Sequence, residues 1–92
     1  MYSALYILSS ITYTRFFLKQ NKSFKLYSRL HVLRAEKRIT QQELADAVGV
    51  TRGTIVSIEK GNYNPSLELA FKLSQYFSSN IESIFSYSED SQ

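Results

Sequence analysis

From Leu26 to Phe85, apolar residues return every three or four positions, the spacing that lines one face of a helix. Leu26, Leu30 and Leu33 open the series, and helix is predicted from Tyr27 onward. The last turn of this first helix carries Lys37 and Arg38, where the carbonyl end favours cations. Thr40-Gln41-Gln42-Glu43 has the spacing of a capping box, in which the threonine hydroxyl and the glutamate carboxylate each satisfy an amide left open at a helix start. Leu44, Ala45 and Val48 then form an inward face, and Gly49 supplies the positive φ that ends the helix. Thr51 starts another at once, with Ile55 and Ile58 as its buried positions and Gly61 as its stop. Asn62-Tyr63-Asn64-Pro65 is turn chemistry. Pro65 and Ser66 open a fourth helix through Leu67, Ala70, Leu73 and Phe77, and Asn80 is placed to cap a short fifth through Ile81, Ile84 and Phe85. Ser86 to Gln92 is expected to fray. The expectation is an all-α fold, a compact five-helix bundle.

The first 26 residues are of a different kind. They are rich in Tyr, Ile, Phe, Ser and Thr and hold no acid. Their uncharged run ends at Arg15, short of the roughly 20 apolar residues that a spanning helix needs, so membrane insertion is not expected. The run lacks a preceding basic region and a small-residue cleavage site, so it is not a secretory signal either. Aromatic and β-branched residues fit a strand here while Leu5, Leu8 and Ile11 fit a helix, and periodicity does not decide between them. The expected divisions are an N-terminal extension over 1–26, a folded domain over 27–86 and a polar tail over 87–92.

Composition changes the picture in two ways. The 92 residues contain no cysteine and one histidine, His31, which removes disulfides and thiolate metal sites. No nucleophile, base and orienting acid stand at a meaningful spacing, so neither an enzyme nor a cofactor is expected, and no small-molecule substrate is evident. The net charge of +3 suggests nucleic acid until it is located: Arg15, Lys19, Lys22 and Lys25 carry it, and the other 66 residues hold one more acid than base. A case for nucleic-acid binding therefore rests on motif rather than on global charge.

The motif is the pair of short helices hinged at Gly49. Each is marginal alone, and together they have the form of a helix-turn-helix, whose second helix projects its first turn into a major groove. In Thr51 to Lys60, Ile55 and Ile58 face inward, while Arg52, Gly53, Val56 and Ser57 face outward with Thr54 beside them. A solvated helix in a bundle without a ligand would show the same pattern.

A resemblance bears on that choice. The stretch RLHVLRAEKRITQQELADAVGVTRGTIVSIEKGNYNPSLELAFKLSQYF resembles the Cro/CI-type (XRE-family) DNA-binding domain of bacterial and phage repressors, over about Ser28 to Phe85. The shared motifs are T-Q-x-E-L-A, V-G-V-T, I-x-x-I-E-x-G and N-P-S-L. The resemblance implies the lambda repressor-like five-helix fold. It places a phosphate contact on Gln41, with Thr40 and the first-turn amides beside it, and base-reading positions on Thr51, Arg52, Gly53, Thr54 and Ser57. Arg52 is the expected principal reader, since a guanidinium can present a bidentate fork to guanine. Gly53 departs from the pattern, because family members often carry glutamine there. Either fewer bases are read at that point, or glycine lets the backbone approach the DNA closely. Lys60, Asn62 and Asn64 match a segment that contacts phosphate, and Arg34 and Glu59 match a structural ion pair between the first and third helices.

The function expected is that of a cytoplasmic transcriptional regulator, repressor-like and homodimeric, bound to double-stranded DNA. Dimerisation is expected because one short helix buries too little to supply the roughly 4–10 kcal/mol that separates specific from non-specific sites. The alternative is a protein-interaction module, of antitoxin or antagonist type, on the same scaffold.

Overall fold

The computed structural model describes residues 23–90. Its elements run β1 (Phe24–Ser28), α1 (Leu30–Lys37), α2 (Gln41–Val48), α3 (Arg52–Lys60), α4 (Leu67–Phe77), α5 (Ile81–Ile84) and β2 (Phe85–Glu89). The caps set the limits of the middle helices. Thr40 Oγ1 accepts from the Glu43 amide at 3.0 Å while a Glu43 carboxylate oxygen accepts from the Thr40 amide at 3.4 Å, and Gly49 closes α2 at φ +76°. Thr51 and Ser66 cap α3 and α4 through their hydroxyls, which accept from the amides of Thr54 and Leu69. Asn80 occupies the N-cap of α5, but its side chain makes no capping bond.

The inward positions converge on one core. Leu30, Leu44, Ile55, Ile58, Leu73 and Ile84 are the largest side chains fully withdrawn from water, and burial of each contributes about 1.5–3 kcal/mol before entropy is counted. Every helix supplies at least one of them. Ile84 and Phe85 belong to this core, whereas Tyr63 stays exposed.

A two-stranded antiparallel sheet corrects the all-α expectation. β1 and β2 pair in the register Phe24 with Glu89, Leu26 with Tyr87 and Ser28 with Phe85. Helix α1 therefore begins at Leu30 and not at Tyr27, α5 stops at Ile84, and the stretch expected to fray is ladder as far as Glu89. The expected boundaries at 26/27 and 86/87 both fall within strands. The physical reason is alternation. Phe24, Leu26, Phe85 and Tyr87 share one face, with Leu26 and Phe85 packed into the core, while Lys25, Tyr27, Ser86 and Ser88 occupy the other. The helical spacing of Leu26 to Leu30 arose because a strand residue and a helix residue enter the same core. Beyond the ladder, the Arg29 amide donates to the Ile84 carbonyl at 2.8 Å and the Asp90 amide to that of Ser23 at 2.8 Å. Residues 1–22 of the expected 1–26 extension lie outside the described residues, among which no helix is long and apolar enough to cross a membrane.

Candidate nucleic-acid interface

The turn between α2 and α3 sets their first residues, Gln41 and Arg52, against each other. Val48 and Ile55 are buried, so the two helices meet through their inward faces, and Gly49 in the left-handed conformation redirects the chain between them. The first turn of α3 is left facing solvent: Thr51, Arg52 and Gly53 are exposed, and Thr54, Val56 and Ser57 are half-buried. Thr51 Oγ1 accepts from the Thr54 amide at 3.3 Å and lies 3.1 Å from Thr54 Oγ1. Both threonine hydroxyls are thus engaged with one another, and Arg52 is the long polar side chain of this turn.

Arg52 does not point freely into solvent. Its Nη2 donates to Gln41 Oε1 at 3.0 Å, and Gln41 Nε2 donates to Glu59 Oε1 at 3.0 Å. Glu59 in turn receives Arg34 through Nε at 2.7 Å on Oε2 and through Nη2 at 3.2 Å on Oε1. The remaining Arg34 nitrogen, Nη1, donates to the Ile39 carbonyl at 3.0 Å. The direction of the Gln41 amide follows from chemistry, because an ionised carboxylate only accepts and so draws the amide nitrogen inward, leaving the oxygen for Arg52. One relay, Arg34 to Glu59 to Gln41 to Arg52, thus joins α1, α3 and the start of α2 to the first residue of the outward turn.

The pair at the centre of the relay is shielded, with side-chain exposures of 19% for Arg34 and 9% for Glu59. Burial pushes the Glu59 carboxyl upward, but the hydrogen bonds from Arg34 and Gln41, together with the charges of Arg34 and His31, outweigh it and hold Glu59 below the usual carboxylate range. Its hydrogen bond to Glu59 raises Arg34 in return, against the opposing effect of burial. Glu59 is therefore a shielded anion held between Arg34 and Gln41.

Of the other expected site residues, Thr40 is exposed and committed to its cap. Lys60, Asn62 and Asn64 are exposed around the end of α3, where the Asn62 amide donates to the Ser57 carbonyl at 2.9 Å. A Cβ built on Gly53 would meet only Thr51 Oγ1, at 3.8 Å, an ordinary contact, so nothing within the protein requires glycine there. The contact between Gln41 and Arg52 was missed in the sequence. The two residues are distant along the chain, and only the crossing of α2 and α3 brings them together. Among the described residues, no group of His, Asp and Glu could hold a metal ion.

The fold and this surface define a helix-turn-helix domain, and residues 30–84 match the helix-turn-helix family. The chain belongs to the Cro/CI-type (XRE) helix-turn-helix transcriptional regulators, a DNA-binding family and not a family of enzymes. It is 49% identical over 63 residues to the uncharacterized HTH-type transcriptional regulator MJ0272 of Methanocaldococcus jannaschii, a match spanning 68% of this chain and 96% of that one. It is 36% identical over 62 residues to the cryptic phage CTXphi transcriptional repressor RstR of Vibrio cholerae, spanning 67% of this chain and 56% of RstR. Among solved structures, the transcriptional regulator VanUg has the same fold, with a TM-score of 0.63 at 24% identity over 73% of this chain and 89% of that one.

Proposed function

We propose that the chain is a sequence-specific repressor that binds double-stranded DNA as a homodimer in the cytoplasm, with α3 in the major groove. The observation that carries this reading is the relay ending on Arg52. A guanidinium already oriented at the first turn of an outward-facing helix is prepared to present its fork to a guanine edge. Gln41, at the N-terminus of α2, keeps a second amide hydrogen for a phosphate, so the phosphate contact and the base contact share one positioned side chain. Lys60, Asn62 and Asn64 would meet the backbone at the other end of α3. That RstR is a repressor supports repression over activation.

Selection from a random duplex pool by the 92-residue protein at about 0.15 M salt tests the reading, because the electrostatic share of binding depends on salt. The expected product is an inverted repeat with half-sites about 10 base pairs apart. Arg52→Ala should then lose about 1–3 kcal/mol of discrimination at one base position while keeping its affinity for unrelated duplex. Absence of any enriched sequence would replace this reading with a protein-interaction module on the same scaffold.

A further inference from the structure

Lys25 belongs to β1, outside the residues that match the family. Its side chain runs onto Gly61, the left-handed residue that closes α3: a Cβ built on Gly61 would stand 3.0 Å from Lys25 Cε and 3.2 Å from Nζ. Gly61 thus serves twice, by accepting φ +79° and by leaving the space through which the lysine passes. The ammonium lies 5.7 Å from the centroid of the Tyr27 ring, two residues along the same face of the strand.

Among the described residues, no carboxylate neutralises this cation. All eight acidic side chains of the chain lie among the described residues, and the ion pairs they form with other described residues are those of Glu59 with Arg34 and Glu68 with Lys72. The residue directly across the ladder from Lys25 is the neutral Ser88. Lys60, exposed in the last turn of α3, is also without a carboxylate, and Asn62 and Asn64 follow it in the exposed loop. The strand therefore delivers an unpaired ammonium to the end of α3 where the donors of that loop are gathered.

We propose that Lys25 is a phosphate-binding residue of the DNA interface, holding with Lys60 the backbone that flanks the groove entered by α3. The assignment rests on the reading of α3 as the DNA-reading helix and extends the footprint beyond the helix-turn-helix to the strand pair. A phosphate contact of this kind adds affinity without sequence information. The rival role is purely internal: an ammonium beside the carbonyl end of a helix stabilises that end whether or not DNA is present.

The two roles separate in a salt titration of the full chain on the selected duplex and on a scrambled duplex. Lys25→Met keeps the aliphatic stem and removes the charge. It should make the dependence of log K on log salt shallower by about 0.9 for each bound protomer, should weaken binding to both duplexes alike, and should be reversed in Lys25→Arg. Lys72→Met, which removes a cation paired on α4, should leave the slope unchanged. An unaltered slope in Lys25→Met, accompanied only by a lower thermal midpoint, would overturn the assignment in favour of the helix-end role. An equal loss of slope in Lys72→Met would overturn it in favour of bulk charge. If the wild-type chain binds neither duplex, the reading of α3 itself fails, whereas wild-type binding with an unchanged Lys25→Met slope removes Lys25 alone.

Discussion

Two ties hold distant parts of this chain together, and they are made of different material. The relay from Arg34 through Glu59 and Gln41 to Arg52 is built from four side chains, each required for its charge or for its donors and acceptors. The β1–β2 ladder is built from backbone, and of its side chains Leu26 and Phe85 pack into the core. Substitution can therefore disable the relay at any of its members, while the ladder, outside its core positions Leu26 and Phe85, tolerates change wherever alternation is kept. Chemical specificity is thus concentrated at the first turn of α3, and the strand pair is fastened by geometry.

The largest effect should come from the fastening. Phe85→Ala empties a core position at the start of β2 and should cost about 3–5 kcal/mol in urea unfolding; a loss under 1 kcal/mol would mean that the strand pair hangs on the domain without supporting it. Next is Glu59→Ala, which strands the shielded Arg34 and should cost about 3 kcal/mol, with a loss of DNA discrimination beyond that of Phe85→Ala compared at equal fraction folded. Stability measured against pH sharpens the same point. Because Glu59 is held below its unfolded-state value, its contribution is complete above the usual carboxylate range and is lost as pH falls through its depressed folded value. Acid unfolding should accordingly be less steep in Glu59→Gln. The smallest effect is a gain: Gly53→Ala fills open space in α3 and should stabilise by about 0.5–1 kcal/mol. If DNA affinity falls while stability rises, the bare backbone at Gly53 is an approach surface for the nucleic acid. If affinity is unchanged, fewer bases are read there.

What was legible in the sequence follows the same division. The limits of α2, α3 and α4 are written locally, in Thr40, Thr51 and Ser66 as caps and in Gly49 and Gly61 as stops, and each signal needs only its neighbours. The pairing of Arg34 with Glu59 was expected from family resemblance, not from spacing, and the structure joins the two. The link from Gln41 to Arg52 depends on how two helices cross, which no local pattern encodes. The strands were misread for a related reason. Each is five residues long, its partner lies about 60 residues away, and non-local pairing of this kind leaves no local mark. Phe24-Lys25-Leu26-Tyr27 and Phe85-Ser86-Tyr87-Ser88 do alternate large apolar with polar or amphipathic residues, but the leucine spacing that continues into α1 masked the period of two.

The ladder also orders events on the ribosome. Phe24 to Ser28 precedes its partner, Phe85 to Glu89, by every helix of the domain, so β1 cannot pair until all of them have been made. A nascent chain halted after Phe77 would hold the whole helix-turn-helix but lack Ile84, Phe85 and the second strand. Its helices would then stand on a core that lacks two of its members. Closure of the ladder is therefore a late step of assembly, since it cannot precede synthesis of Glu89.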